Sequence, residues 1–131
     1  MGFHRWEDVP QTQNLRKGTM RRAAVLDGLT MQRGEIAPDT LFDESTIHRH
    51  PEDQFIIVLE GKLKMHIDGV EEWLESGGFA SIPGGVFHSA TGVGPEGAKY
   101  IEVLSSGRID YLPGYLGEPK NEFLHQKKDV S

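Results

Sequence analysis

The sequence contains no cysteine, which excludes a disulfide scaffold, a thiolate metal site and a cysteine nucleophile together. Any metal site has to be built from imidazole, carboxylate, amide or water ligands. Cations are in the minority as well. The 14 Lys and Arg residues face 20 Asp and Glu, a formal net charge of -6, so no positive excess is available to neutralise a phosphate backbone. Nucleic-acid binding is not expected. Long apolar runs are also missing. No stretch approaches the roughly 18 apolar residues that span a bilayer, and the opening MGFHRWEDVPQTQ lacks the apolar centre of a signal peptide. Position 6 is Trp, where a myristoylation signal needs Ser or Thr. The expectation is a soluble, cytoplasmic chain with no membrane partner.

What the sequence does have is glycine, 16 residues of 131, with seven prolines spread along the chain. That punctuation implies many turns between short segments. A mass of 14.6 kDa suits one core and not two. The runs LTMQRGEI, QFIIVLEG, KLKMHIDG, GFASIP and AKYIEVL are each bounded by Gly, Pro or Asp, so the chain reads as all-β with a closed or nearly closed barrel. Residues 1–22 read as an N-terminal arm over the core or at a sheet edge, residues 23–117 as the barrel and residues 118–131 as a tail. Glu60-Gly61-Lys62 reads as a hairpin turn inside FIIVLEGKLKMHIDG. After it, Leu63, Met65 and Ile67 alternate with Lys62, Lys64, His66 and Asp68, as in a half-buried strand. Before it, Gln54, Ile56 and Val58 lie on one face and Phe55, Ile57 and Leu59 on the other. Both faces are expected to be buried, one inside the barrel and one against another sheet or subunit. A homodimer is therefore expected.

Histidine carries the chemistry. His48-Arg49-His50 puts two imidazoles on one face of an extended strand, where both can reach one ion. Gln54 opens the next strand after the turn Pro51-Glu52-Asp53, and His88 follows Pro83-Gly84-Gly85 on a third segment. Ligands from separate strands could converge inside a barrel and leave a position open for water or substrate. His66, His4 and His125 read as surface residues.

The spacing His48-x-His50-x3-Gln54-x6-Gly61, fifteen residues, then Gly77-x5-Pro83-x-Gly85-x2-His88 resembles the two sequence motifs of the cupin superfamily. The resemblance implies a cupin-type double-stranded β-helix, a jelly-roll barrel, holding one divalent ion on His48, His50, Gln54 and His88. Zinc, nickel, iron and manganese all suit such ligands. Gln54 stands where the family most often has Glu, and Gly92 where the second motif often ends in Asn. An amide ligand leaves the ion its full double charge, which favours anchoring an anionic or enolate oxygen.

His-x-His-Pro-x-x-Gln followed by IDG is similar to the small single-domain cupins that include the pectin-degradation cyclase acting on 4,5-unsaturated uronates. In that group an Asp, a Phe two residues on and an Arg six residues on face the substrate. Here the matching positions are Glu102, Leu104 and Arg108, of which only the Arg agrees. The resemblance implies that Arg108, Tyr100 and Leu104 bind an acidic small-molecule substrate and that Glu102 and Arg108 are catalytic. From the residues alone, Tyr100, Glu102 and Leu104 share one strand face, so Glu102 points either to solvent or to the cavity. A buried carboxylate near a cation can act as acid or base, and Arg108 could clamp a carboxylate bidentately. The function expected is a metal-dependent cyclase or isomerase of an enolisable acidic sugar. The alternatives are a cupin dioxygenase of a diketone, flavonol or polyketide-like substrate, and a non-catalytic cupin that binds a small ligand.

Overall fold

The computed structural model describes residues 1–118 and 120–125. Nine strands form in the order β1 (Gln11–Gln13), β2 (Thr19–Val25), β3 (Leu29–Ile36), β4 (His48–Arg49), β5 (Gln54–Ile67), β6 (Val70–Glu75), β7 (Phe79–Ile82), β8 (His88–Ser105) and β9 (Glu122–Phe123). All their pairings are antiparallel. Among the described residues three short 3-10 turns accompany them, at Trp6–Asp8, Glu44–Thr46 and Ile109–Tyr111. The architecture is all-β, a curled antiparallel jelly roll.

Two long strands make the barrel. β5 pairs with β8 from Gln54 opposite Leu104 to Ile67 opposite His88. On its other edge, the first half of β5 pairs with β7 and the second half with β6. β8 in turn pairs with β3, and β3 with β2. One pair of bent strands thereby joins both walls of the curl.

The bend corrects one sequence expectation. Glu60-Gly61-Lys62 is not a hairpin turn, because β5 runs straight through it with register shifts on either side. Gly61 has φ 71°, and a Cβ there would stand 2.0 Å from the Gly97 carbonyl oxygen, so the glycine serves a bulge at which two backbones press together. The reversal comes at Asp68-Gly69, with φ 50° and 80° and Ile67 opposite Val70. Positive φ at both residues is what a two-residue hairpin loop of the primed type requires.

The two faces of β5 differ within the single chain. Gln54, Ile56 and Val58 are buried, but Phe55, Ile57 and Leu59 are 50%, 40% and 39% exposed. Among the described residues no second sheet covers that face. Strand pairing begins at Gln11, and β2 runs across the expected arm boundary between residues 22 and 23. At the other end, β9 pairs with β4, while residues 119 and 126–131 of the expected tail lie outside the described residues. No helix among the described residues is long and apolar enough to cross a membrane.

The apolar interior is built from Ile36, Ile56, Val58, Leu63, Met65, Ile82, Ala98 and Tyr100. A smaller cluster of Ala23, Leu104 and Tyr111 packs beside it. Polar residues close the interior at the end where β4, β5 and β8 begin or end.

Candidate metal centre

His48 and His88 are directly opposite each other across β4 and β8, and His50 follows at the end of β4. The three ring centroids lie 4.6 to 5.8 Å apart, and one ring nitrogen from each lies within 4.8 Å of the other two. All three rings are oriented by the same device. The Nδ1 of His48 meets the Thr46 carbonyl at 2.6 Å, that of His50 the Glu52 carbonyl at 3.1 Å and that of His88 the Val86 carbonyl at 2.8 Å. A carbonyl can only accept, so each Nδ1 carries the proton and each Nε2 keeps its lone pair. Such a backbone contact fixes both tautomer and ring direction for a metal ligand.

The lone pairs have few other uses. His88 Nε2 is buried with no hydrogen-bond partner. His50 Nε2 lies 3.0 Å from Gln54 Oε1, so two acceptors face each other where a cation between them would relieve the repulsion. Burial first, and then His88, pushes His48 down to about 3. Burial brings His88 to about 4 and also lowers His50. Three neutral imidazoles and an amide oxygen fit a divalent ion, whichever of zinc, nickel, iron or manganese is supplied.

Gln54 connects this cluster to Glu102. Its side chain favours the charged form of the Glu102 carboxyl, and its Oε1 faces His50 Nε2. Gln32 Nε2 donates to Glu102 Oε2 at 3.1 Å from β3, where Gln32 is fully buried directly opposite Glu102. Burial raises the Glu102 carboxyl to about 7, against the pull of Arg21, Arg108 and the Gln54 hydrogen bond. Tyr100 lines the same cavity as Glu102, His48 and His88. Its ring lies on Gly34, where a Cβ would approach to 2.2 Å. Burial, then Glu102, pushes its phenol above its ordinary range.

Two of the expected substrate residues lie elsewhere. Leu104 is 0% exposed in the cluster with Ala23 and Tyr111, and neither it nor Arg108 lines the cavity of the three rings. Arg108 is 1% exposed. Its Nε and Nη2 donate to the two carboxylate oxygens of Asp110 at 2.8 and 2.7 Å, and Nη2 also donates to Asn121 at 2.9 Å. Its Nη1 lies 3.6 Å from Glu52 Oε2, and Glu52 in turn lies 3.5 Å from His50 Nδ1. His66 lies beside Glu71 on β6, and His125 beside Glu44.

The sequence reading missed Gln32 and Arg16. Gln32 could have been found from the alternation in LTMQRGEI, where Thr30, Gln32, Gly34 and Ile36 form one face. Arg16 reaches the cavity from the loop between β1 and β2, and no local pattern marks it.

A curled antiparallel barrel with three converging imidazoles on β4 and β8 defines a cupin-type metal-binding protein. The cupin domain family matches residues 32–104, and the chain belongs to it. It is 30% identical over 84 residues to quercetin 2,3-dioxygenase of Bacillus subtilis strain 168, spanning 63% of this chain and a quarter (25%) of that protein. Among solved structures, an RmlC-like cupin from Shewanella frigidimarina NCIMB 400 superposes with TM-score 0.71 at 25% identity, over 86% of this chain and 96% of that one. KdgF from Halomonas sp. also gives 0.71, at 22% identity over 86% and 99% of the two chains. Oxalate decarboxylase of Bacillus subtilis gives 0.69 at 19%, this chain covering 31% of that protein. The chain thus has a cupin domain whose fold resembles that of KdgF.

Proposed function

We propose that this cupin is a metal-dependent cyclase or isomerase that works on an enolisable acidic sugar such as a 4,5-unsaturated uronate, a soluble substrate of the cytoplasm. The observation that carries the reading is Glu102, a carboxyl in the wall of the cavity that His48 and His88 also line, raised by burial to about 7 and neighbouring Gln54, which in turn meets His50. A group with a pKa near the working pH can both take and give a proton. Opening an unsaturated uronate ring needs both. The ring C–O bond breaks as the hemiacetal hydroxyl loses its proton to become an aldehyde, and the released enolate gains a proton at carbon to become a ketone. One proton leaves, one arrives, and no electron is exchanged. Glu102 would take the first and return the second, with Gln32 and Gln54 holding its carboxylate in place. His48, His50, His88 and Gln54 would hold the divalent ion, which supplies a positive centre for the substrate's anionic oxygens. The test is metal-loaded protein incubated anaerobically with a 4,5-unsaturated uronate, followed by NMR. Loss of the ring double bond without oxygen supports the reading, and no conversion under those conditions defeats it.

A second reading draws on the 30% identity to quercetin 2,3-dioxygenase, under which a diketone or flavonol would be cleaved with uptake of oxygen. An oxygen electrode separates the two. Under either reading, two copies would pair through the uncovered outer face of β5.

A further inference from the structure

We propose that Arg16, carried into the barrel by the loop between β1 and β2, binds the carboxylate of the substrate, the part that the family resemblance gives to Arg108. This deepens the uronate reading and rests on it for the nature of the substrate. Three observations converge on Arg16.

The loop is shaped to deliver it. Arg16 N–H donates to the Asn14 carbonyl at 2.7 Å across Leu15, which has φ 63°. A three-residue turn of that hand is rare and strained for a residue with a side chain. Thr19 N–H then donates to the Arg16 carbonyl at 3.2 Å, and Asn14 N–H to the Thr19 carbonyl at 2.7 Å. The strain is held by the surrounding pairing, and its effect is to turn Arg16 inward.

The guanidinium remains uncommitted to any acid. Its hydrogen bonds go to the hydroxyls of Thr19, Thr46 and Ser89 and to the Ala90 carbonyl, all neutral oxygens. Its carbon lies 4.7 Å over the Phe42 ring, and the charge of Asp43 favours its protonated form. Among the described residues no carboxylate is within ion-pair distance. Arg108, by contrast, already holds Asp110 on two nitrogens. A partly buried cation whose hydrogen bonds all go to neutral oxygens is a receptor for an anion, whereas one in a bidentate pair has to give up that pair first.

Its position is right. Arg16 lines the same cavity as His48, His88, Tyr100 and Glu102, and Tyr100 interacts with both Arg16 and Glu102. An acid bound at Arg16 would present its adjoining carbons toward Glu102.

The test measures binding apart from turnover. Galacturonate, which has the carboxylate but no ring double bond to react, and galactose, which has neither, are titrated calorimetrically into metal-loaded wild type, Arg16→Ala and Arg16→Gln. The Gln variant removes the charge but keeps a polar side chain in the loop, so it stays informative if the Ala variant does not fold. Wild type should prefer galacturonate, and both variants should lose about 10- to 100-fold of that preference. Wild type without a preference, or a preference that survives in Arg16→Gln, overturns the proposal. Arg16-dependent binding of galacturonate in a protein that leaves unsaturated uronate unconverted would instead defeat the catalytic reading and uphold this one.

Discussion

The two faces of the sheet formed by β3, β8 and β5 have exchanged the characters that a barrel wall normally has. On the inner face, at the metal end, lie Gln32, Glu102 and Gln54, two of them almost fully buried. On the outer face, one residue along each strand, Met31, Val103 and Phe55 stand in a single cross-strand row, with Ala24 of β2 beyond Met31. The next row sets Phe79, Ile57 and Ile101 side by side. Burying an amide or a carboxyl costs free energy unless each finds a partner, and here they find one another. Exposing a band of apolar side chains is costly too, and in soluble proteins it marks a surface that meets a partner. The inner face serves the proposed chemistry and the outer face the proposed association.

The largest effect should come from the inner face. His88→Ala removes the ring whose Nε2 has no other partner. Losing a residue that merely orients a ligand costs about 10- to 100-fold in metal affinity, so loss of the ligand itself should exceed that and abolish turnover. Metal analysis after dialysis checks the first expectation and the uronate assay the second. A His88→Ala protein that retains one tightly bound ion would show that the three rings do not form one site.

Next in size is Glu102→Gln. The change keeps the shape and the proximity to Gln32 but cannot transfer a proton. Turnover should fall about 10²- to 10⁴-fold, with the metal content unchanged. Unaltered turnover would pass the proton-transfer role to Tyr100, Asp110 or water.

The same substitution should separate two opposite pH dependences in metal-free protein. Glu102 is raised from 4.5 to about 7 in the folded state, so between those values the folded chain holds a proton that the unfolded chain has released. Stability therefore falls as pH rises through that window, by up to about 3 kcal/mol at 1.36 kcal/mol per pH unit. His48 and His88 behave in the other sense. They are lowered from 6.5 to about 3 and about 4, so the unfolded chain takes up protons first and stability falls as pH drops below about 6.5. Urea titrations should find Glu102→Gln gaining on wild type from pH 4.5 to 7, while both lose stability toward acid. Parallel curves for the two proteins would mean that the carboxyl is not held protonated by the fold.

How far these features could be read in advance depended on how local their causes are. His48, His50, Gln54 and His88 were legible because short turns fix them, Pro51-Glu52-Asp53 on one side and Pro83-Gly84-Gly85 on the other. Gly61 misled because a glycine between two apolar runs looks the same whether it turns the chain or serves a bulge. What decides is β8 lying alongside, some forty residues further on in sequence. Gln32 and Arg16 meet the site only after the barrel closes; the alternation of LTMQRGEI puts Gln32 on the inner face without naming its partner, and nothing within a few residues of Arg16 signals a role. Arg108 fitted a family position, but its ion pair with Asp110 two residues away is a product of folding in a buried environment.

The smallest effect on folding should come from the outer face, and it is the one that separates the two faces most cleanly. Phe55 is 50% exposed, with its ring 6.0 Å from that of Phe79, and it is flanked in sequence by Gln54 and Ile56, both buried. Phe55→Ser therefore removes apolar area from the surface without opening a cavity, and the stability of the isolated chain should change by no more than about 0.5 kcal/mol. If two copies bury this band against each other, the same residue is repeated on both sides of a two-fold axis, and one substitution acts twice. Light scattering should then find wild type at twice the 14.6 kDa chain mass and Phe55→Ser at the single mass, with metal content unchanged because the ligands lie on the other face. A wild-type monomer would leave the apolar band without this partner, whereas a dimer that persists in Phe55→Ser would move the interface to another surface of the barrel.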